Sequence, residues 1–378
     1  MAKARGQAET DAAFMAAALG LAARTIGDCA PNPAVGCVLV KDGVVVGRGW
    51  TQPGGRPHAE TQALLQAGDA ARGATAYVTL EPCSHHGKTP PCADALIAAG
   101  VARVVSAIGD PDPRVSGGGL AKLRAAGIAV EEGVGAAEAA RLAAGFFLRL
   151  KEKRPLFCLK VATTLDGRMA LANGQSQWIT GPAARTLVHT LRARFDAILI
   201  GSGTAVADDP LLTCRLEGYA GRPKVRVILD RRLRLAATSQ LAKTAAAVPA
   251  WVITGGSDDS AFARLPRAGA DALKAAKVEV IELGRDLNDR DFILAAARTL
   301  AERGLNRVMI EGGASIAGAF LKAGLVDQAA WFRAPSVIGG DGLGAVSTLE
   351  ATDLAAITRF KRRDTLTLGD DQVDFLER

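Results

Sequence analysis

Apolar positions in the first half of the chain fall into short blocks and into longer stretches with helical spacing. The short blocks predict buried strands, at 35–40, 44–50, 74–80 and 102–107. The longer stretches predict helices, at 11–26, 92–99, 120–126 and 136–150, with one more opening near His58. Between the first two strands, the Asp-Gly pair of Lys41-Asp42-Gly43 favours a hairpin turn. This alternation predicts a three-layer α/β domain.

The second half repeats the alternation with shorter strands. These are predicted at 156–162, 197–201, 224–229, 250–254 and 307–310, with helical stretches between them. The pattern predicts a second α/β domain, but it does not separate a dihydrofolate-reductase-like sheet from a Rossmann-like one. The stretch 151–155 between the halves carries four charges and ends in proline. We therefore expect domains at 1–150 and 155–378.

The composition is that of a folded protein with room for two cores. The chain has 378 residues, of which 49% are hydrophobic and 22% are charged. Its net charge of +7 favours anionic ligands such as phosphorylated metabolites, and it equally permits nucleic acid. An aromatic content of only 4% argues against binding to single strands, which relies on stacking.

The sequence predicts neither secretion nor membrane insertion. Lys3 and Arg5 precede an apolar run at 12–23 as in a signal peptide, but Glu9 and Asp11 interrupt its front. No stretch reaches the ~18 uninterrupted apolar residues that a membrane span needs. Of the six cysteines, Cys83 and Cys92 are candidate metal ligands, and the other four, Cys29, Cys37, Cys158 and Cys214, lack disulfide-like spacing. Reduced thiols are therefore expected. We therefore expect a cytoplasmic protein that does not bind membranes.

One histidine, one glutamate and two cysteines stand in the order of a zinc deaminase. His58 is followed two residues later by Glu60, and Cys83 and Cys92 come after the strand predicted at 74–80. Two thiolates and an imidazole form a tetrahedral zinc site with one open position, where zinc lowers the pKa of water toward ~7. Glu60 is the expected proton shuttle. Taken singly, a His-x-Glu pair is common by chance and each cysteine could be a buried apolar side chain.

Two features of the second half point to a nucleotide. Gly312 and Gly313 follow a predicted strand and precede a helix, where a phosphate can approach the backbone N–H groups. Standing alone, the pair is more often a plain strand-to-helix turn. Arg231, Arg232 and Arg234 follow another strand, and guanidinium groups there favour NADPH over NADH. The alternative for these arginines is a solvated basic turn.

Taken together, the motifs resemble the bifunctional deaminase/reductase family of riboflavin biosynthesis. In the first half they are Pro31-Asn32-Pro33-Ala34-Val35-Gly36, the His58/Glu60 pair, and the eight residues between Cys83 and Cys92, where most zinc deaminases have two. In the second half they are Leu165-Asp166-Gly167-Arg168, Ser176-Gln177-Trp178-Ile179-Thr180, Gly201-Ser202-Gly203-Thr204, the segment 208–213, and Glu311-Gly312-Gly313. The resemblance covers nearly the whole chain. It implies a cytidine-deaminase-like domain followed by a dihydrofolate-reductase-like α/β domain.

The resemblance also implies ligand contacts, residue by residue. Asn32, His85 and Lys88 are the candidates for holding the pyrimidine and its phosphate in the deaminase, while exposure is at least as good a reading for His86. Implied NADPH contacts are Ala162, Trp178, Thr204, Asp208, Gly313, Ala314, Ser315, Ile316, Ala317, Gly318 and Ala319. Arg231 joins them as the candidate from the basic loop described above. Implied substrate contacts in the reductase are Ser176, Arg192, Leu212, Arg215 and Glu311. Arg192 and Arg215 suit a ribose 5-phosphate, whereas Asp166 also fits a structural turn.

The expected function is a pair of consecutive reactions on a phosphorylated pyrimidine. Zinc-dependent deamination of 2,5-diamino-6-ribosylamino-4(3H)-pyrimidinone 5′-phosphate comes first. Reduction of the ribosyl chain by NADPH then gives 5-amino-6-(5-phosphoribitylamino)uracil. One rival is a nucleic-acid deaminase with an accessory binding domain, and another is a second half that senses nucleotides without turnover. We expect a small-molecule enzyme that assembles as a homo-oligomer and does not bind nucleic acid.

Overall fold

The computed structural model describes residues 2–85, 90–113, 115–255, 267–284 and 287–378. The chain divides into two compact units, Met1–Lys153 and Arg154–Arg378, and the division falls inside the charged stretch 151–155. Both units combine helices with one main β-sheet. Among the described helices, none has the length and apolar character required to cross a bilayer.

The first unit is built on a five-stranded sheet in the order β2-β1-β3-β4-β5. Its strands are β1 Gly36–Lys41, β2 Val44–Trp50, β3 Thr75–Val78, β4 Arg103–Ser106 and β5 Ala129–Glu132. Its helices are α1 Ala2–Ala23, α2 Ala59–Ala67, α3 Cys92–Ala98, α4 Gly118–Ala125 and α5 Ala136–Lys151. Strand β1 runs antiparallel to β2 and β3, whereas β3, β4 and β5 are parallel. Asp42 and Gly43 both adopt positive φ in the β1–β2 turn, as the Asp-Gly pair predicted.

Helices cover both faces of this sheet, because side chains alternate between the faces along each strand. Cys37 and Leu39 of β1 pack with α2, α3 and α4, while Val38 and Val40 pack with α1 and α5. The predicted three-layer arrangement is therefore confirmed. The first helix differs from its prediction at both ends: it was predicted at 11–26, whereas α1 begins at Ala2 and ends at Ala23.

Glycines in β2 allow α2 to approach the sheet closely. A Cβ on Gly47 would lie 2.2 Å from the carbonyl oxygen of Ala63, and a Cβ on Gly49 would lie 2.0 Å from that of Ala59. No side chain fits at either position, so helix and strand pack backbone to backbone. This contact fixes the first turn of α2, which carries His58 and Glu60.

A buried carboxylate attaches α1 to the sheet. Asp11 is 1% exposed and accepts two hydrogen bonds from the Arg103 guanidinium, at 2.8 and 2.7 Å, and one from the Tyr77 hydroxyl at 2.7 Å. The hydrogen bonds from Arg103 lower the pKa of Asp11 to about 2, against the opposing effect of burial.

The second unit is built on a nine-stranded sheet in the order β11-β10-β9-β8-β12-β6-β13-β16-β15, with a separate β14-β7 pair. Its strands are β6 Leu156–Thr163, β7 Arg168–Ala170, β8 Ala197–Gly201, β9 Val225–Leu229, β10 Ala250–Thr254, β11 Glu279–Glu282, β12 Arg307–Ile310, β13 Val326–Arg333, β14 Leu343–Gly344, β15 Lys361–Leu368 and β16 Asp371–Glu377. Its helices are α6 Pro182–Ala193, α7 Ser202–Asp208, α8 Gln240–Lys243, α9 Arg267–Ala275, α10 Asp289–Glu302 and α11 Ala314–Lys322.

Strand direction divides the nine-stranded sheet into two parts. The seven strands from β11 to β13 are parallel to their neighbours, while β16 pairs antiparallel with β13 and with β15. The sequence predicted β6, β8, β9, β10 and β12 of this sheet, and it missed β11 and β13 together with the antiparallel strands β15 and β16. The carboxyl ends of the parallel strands lie at one edge, where ligands bind in open α/β sheets.

Arg226, the second residue of β9, connects neighbouring segments of the second unit. Its side chain is fully buried and donates to the carbonyl oxygens of Leu211 and Leu241 and to the Thr244 hydroxyl. Burial lowers the pKa of this guanidinium to about 10. The cation therefore connects the segment 208–213 to the end of α8.

Two candidate active sites

The zinc ligands predicted in the first unit come together at the starts of two helices. His58 caps α2, Cys92 is the first residue of α3, and Cys83 follows β3. His58 Nδ1 lies 3.3 Å from Cys92 Sγ and 3.7 Å from Cys83 Sγ. All three ligand atoms lie within 4.8 Å of one another. The structure therefore places the predicted set around one point.

The two thiols differ strongly in acidity. Their mutual hydrogen bond lowers the pKa of Cys83 to about 4, with help from His58 and the Cys92 N–H, and it raises the pKa of Cys92. Both sulfurs must be ionised to bind a metal, so metal binding at this site is expected to release protons. Two sulfurs and one imidazole nitrogen form a donor set typical of zinc, so the residues present fit the metal.

Glu60 lies beside the ligands without joining them. It occupies the first turn of α2 and is only 4% exposed. Burial raises the pKa of its carboxyl, and the His58 imidazole opposes that change. A carboxyl that holds a proton more readily than usual is suited to carrying protons between water and a leaving amine.

A cavity of about 510 Å³ is lined by two of the ligands, His58 and Cys83, and by Glu60. Its other polar wall residues are Asn32, Thr51, Arg56, Glu81, His85, Asp110, Asp112 and Arg149. Two of the predicted substrate contacts, Asn32 and His85, therefore face it, while Lys88 lies outside the described residues. The Asn32 amide donates to the Gly55 carbonyl at 2.8 Å and lies 3.3 Å from His58 Nε2. Within the described residues, the buried Nδ1 of His85 has no hydrogen-bond partner.

Sequence reasoning missed the acidic wall of this cavity. Glu81 is 3% exposed, and its carboxylate accepts four backbone N–H bonds, from Asp110, Gly117, Gly119 and Leu120. It thereby fixes the segment 110–120 beside Cys83. Burial raises the pKa of Asp110 to about 6. Glu81 lies two residues before Cys83, which was the available signal for its role.

In the second unit an ion pair lies where β12 ends. Arg192 of α6 donates to both carboxylate oxygens of Glu311, at 2.6 and 2.8 Å, and to the Thr213 carbonyl at 2.8 Å. The two side chains are only 11% and 8% exposed. Burial alone would raise the pKa of Glu311, but the charge and hydrogen bonds of Arg192 lower it. The two predicted substrate contacts thus bind each other, and Arg192 orients Glu311.

Lys160 is the functional candidate that sequence reasoning missed in this unit. It lies in the middle of the apolar strand β6, where burial lowers the pKa of its ammonium group and Glu311 opposes that change. A single cation inside an apolar strand was the available signal. Nearby, the backbone N–H of Arg215 donates to His189 Nδ1, while the Arg215 side chain is exposed. Leu212, another predicted contact, is buried with φ of 52°.

The start of α11 fits a dinucleotide. Gly313 caps this helix without a side-chain hydrogen bond, and its own N–H donates to Thr204 Oγ1 at 3.2 Å. A Cβ on Gly203 would meet no atom within 4 Å, so the surface beside Thr204 is open to a ligand. N–H groups in the first turn of α11, at Ala314 and Ser315, are available to a phosphate. The residues present therefore fit a pyrophosphate.

The remaining implied contacts lie further along α11 or in other parts of the second unit. Ala317 and Gly318 are buried, Ile316 packs on Gly201 and Gly312, and Ala319 packs against the core. Trp178 is 68% exposed with Arg185 over its ring, Ser176 lies in the same loop, and Ala162 packs near Val373 and Phe332. Asp208 is the exposed last residue of α7. Asp166 closes a turn through Thr164 and the N–H of Gly339, the structural alternative considered above.

Family models match both units. The model for the RibD C-terminal domain matches residues 155–373, and the model for the cytidine and deoxycytidylate deaminase zinc-binding region matches residues 8–108. The riboflavin biosynthesis protein RibD of Escherichia coli is 42% identical over 96% of this chain and 97% of its own length. That of Aquifex aeolicus is 40% identical, over 98% and 99%. The chain belongs to the RibD family.

Solved structures agree with this membership. Acinetobacter baumannii RibD, form 1, superposes with a TM-score of 0.85 at 38% identity, over 98% of this chain and 99% of that one. A diaminohydroxyphosphoribosylaminopyrimidine deaminase/5-amino-6-(5-phosphoribosylamino)uracil reductase from Thermotoga maritima gives a TM-score of 0.84 at 35% identity, over the same fractions. The protein is therefore a bifunctional enzyme of riboflavin biosynthesis, with a zinc deaminase domain and an NADPH-using reductase domain.

Proposed function

We propose that this chain deaminates 2,5-diamino-6-ribosylamino-4(3H)-pyrimidinone 5′-phosphate and then reduces the ribosyl chain to give 5-amino-6-(5-phosphoribitylamino)uracil. The observation that carries the proposal is the His58, Cys83 and Cys92 cluster beside buried Glu60. His58, Cys83 and Glu60 line a cavity large enough for a nucleotide-like ligand. The name of the Thermotoga maritima relative describes the same pair of activities.

In the deaminase, zinc would act as a Lewis acid on the attacking water. Glu60 takes the proton of that water and passes it to the departing amine, which leaves as ammonia. Asn32 and His85 face the pyrimidine from the cavity wall. Arg56 and Arg149 supply positive charge on the same wall, which supports a phosphorylated substrate.

In the reductase, NADPH would supply the hydride. Glu311 is held by Arg192 and contacts the sugar hydroxyls, while Lys160 provides the proton that accompanies the hydride. Because Arg192 is already bound to Glu311 and Thr213, the exposed Arg215 becomes the better candidate for the sugar phosphate.

The proposal extends to the compartment, the assembly and the substrate class of the enzyme. The enzyme acts in the cytoplasm as a homo-oligomer on a small phosphorylated pyrimidine, and it does not use nucleic acid. Six free cysteines and an aromatic content of 4% support the compartment and the substrate class. Light scattering coupled to size exclusion tests the assembly, and a monomer at working concentration would contradict it.

The experiment that tests the whole proposal follows NADPH oxidation in zinc-loaded and chelator-treated protein. With the diaminopyrimidinone ribotide as substrate, we expect oxidation only in the zinc-loaded sample. Adding the deaminated ribotide should restore oxidation in the zinc-depleted sample, because reduction does not need the metal. Absence of oxidation with the deaminated ribotide in both samples would contradict the reductase assignment.

A further inference from the structure

Three consecutive residues, Thr213, Cys214 and Arg215, are attached to helix α6 by hydrogen bonds. Arg192 donates to the Thr213 carbonyl at 2.8 Å, and the Cys214 thiol donates to the His189 carbonyl at 3.3 Å. The backbone N–H of Arg215 donates to His189 Nδ1 at 3.3 Å. His189 and Arg192 lie three residues apart, so they meet the segment from the same side of the helix. Two residues of α6 thereby hold the whole segment.

The hydrogen bond from Arg215 requires a neutral His189. A ring nitrogen that accepts an N–H bond carries no proton, so the imidazole hydrogen must lie on Nε2. Burial lowers the pKa of His189, and the charges of Arg192 and Arg215 lower it further. The Glu311 carboxylate and the Thr213 carbonyl act in the opposite direction without reversing the change. The imidazole is therefore an acceptor at neutral pH.

The two arginines of this cluster differ in what their side chains can still bind. The Arg192 guanidinium is occupied by both Glu311 oxygens and by the Thr213 carbonyl. The Arg215 side chain is exposed, and among the residues that the structure describes it has no carboxylate partner. Arg215 is thus fixed at its backbone and open at its guanidinium, which is the group that a phosphate would meet.

Resting on the proposed reductase function, we propose that His189 is a positioning residue for reduction, which holds Arg215 where its guanidinium binds the sugar phosphate. His189 acts through the Arg215 backbone and does not itself touch the substrate. Protonation of the imidazole would set two N–H groups against each other, one at Nδ1 and one at Arg215, and would add a positive charge beside two arginines. We therefore expect substrate binding to weaken in acid, below the usual titration range of histidine.

Steady-state reduction of the deaminated ribotide at saturating NADPH tests the positioning role. His189→Ala leaves the Arg215 N–H without its acceptor, which predicts a rise in KM of about 5- to 30-fold with kcat within about threefold of wild type. His189→Asn offers an amide oxygen near the position of Nδ1 and should restore KM to within about threefold. Thr190→Ala is the matched control and should leave both constants unchanged, because the exposed Thr190 hydroxyl donates only to the Thr186 carbonyl of the same helix.

A double-mutant cycle shows whether His189 acts through Arg215. Arg215→Ala removes the guanidinium but keeps the backbone N–H, so on its own it should raise KM by about 10- to 100-fold. Adding His189→Ala to Arg215→Ala should then raise KM by less than about twofold, because the group that His189 positions is already gone. Equal effects of His189→Ala in both backgrounds, or an unchanged KM in Arg215→Ala, overturn the inference while the reductase function stands.

The pH profile distinguishes a positioning imidazole from one that only supports the fold. Asparagine does not titrate, so between pH ~7 and ~5 the KM of wild type should rise more steeply than that of His189→Asn. The second pKa of the substrate phosphate, at ~6, affects both enzymes equally and cancels in the comparison. Parallel profiles, or a loss of kcat in place of a higher KM in His189→Ala, overturn the inference. If wild type oxidises no NADPH with the deaminated ribotide, the reductase function itself fails, and the inference with it.

Discussion

The two candidate sites differ in how their residues are distributed along the sequence. The deaminase ligands lie between His58 and Cys92, each at the start of a helix or just after a strand. The reductase cluster joins Lys160, Arg192, Thr213 and Glu311, which come from four distant segments. A metal demands fixed ligand types at fixed positions, so its motif can be recognised in the chain. An ion-pair cluster has no such spacing and becomes visible only after folding.

The largest expected effect tests whether the two chemistries are separate. Glu60→Gln should lower the deaminase kcat by roughly 10²- to 10⁴-fold, because it removes the proton carrier and leaves the zinc ligands in place. Reduction of the deaminated ribotide should stay at the wild-type rate. Zinc content by atomic emission is the control, and a variant that deaminates normally with zinc bound would refute the assigned role.

The corresponding change in the reductase acts on stability as well as on turnover. Glu311→Gln leaves the Arg192 guanidinium buried without its anion, which should destabilise this unit by about 3–5 kcal/mol. Urea unfolding, followed with reductase turnover on the same samples, measures both effects. Lys322→Ala is the matched control, because its ion pair with Glu350 is exposed and should contribute at most about 1 kcal/mol. If both variants lost a similar free energy of unfolding, burial would not explain the contribution of the Arg192–Glu311 pair to stability.

The same contrast explains how much could be predicted from the sequence. Strands β2, β8, β10 and β12 were predicted with their observed bounds, because apolar runs between turn residues determine them locally. The antiparallel strands β15 and β16 were missed, since β15 is largely exposed and lacks a buried apolar pattern. The family resemblance gave the overall fold and identified both cofactors.

For the sites, prediction succeeded where a residue's role depends on its own type. His58, Cys83 and Cys92 converge as the motif required. The direction of an arginine depends on tertiary neighbours, so the sequence could not show that Arg231 meets Asp289 or that Arg192 meets Glu311. The assignments of individual cofactor and substrate contacts remain predictions.

A smaller effect on the deaminase unit depends on pH. Because hydrogen bonds from Arg103 lower the pKa of Asp11 from 3.8 to about 2, the ionised carboxylate stabilises the fold above its unfolded pKa. A shift of this size corresponds to about 2 kcal/mol. Asp11→Asn should therefore lose about that much stability at neutral pH. The wild-type advantage should decline as pH falls from 3.8 to about 2 and vanish below that.

Thermal unfolding of wild type and Asp11→Asn across that pH range measures the difference. Asp289→Asn is a suitable comparison, because this carboxylate is 94% exposed and its pair with Arg231 should contribute little at any pH. A stability difference between wild type and Asp11→Asn that does not change with pH would show that Asp11 acts through shape and not through charge.

A substitution of similar size in the same unit tests whether the position of the metal site depends on backbone packing in β2. In Gly49→Ala the new Cβ would lie 2.0 Å from the Ala59 carbonyl, so α2 must shift, at a cost of about 1–3 kcal/mol. Since His58 and Glu60 lie at the start of that helix, deaminase turnover should fall more than stability alone explains, while reduction is unchanged. Gly20→Ala is the control, because its Cβ meets no atom within 4 Å and helix propensity should stabilise it by about 0.5–1 kcal/mol. If Gly49→Ala lowers stability but leaves deaminase kcat unchanged, the zinc ligands tolerate movement of α2, and the site is fixed by the Cys83 and Cys92 segments instead.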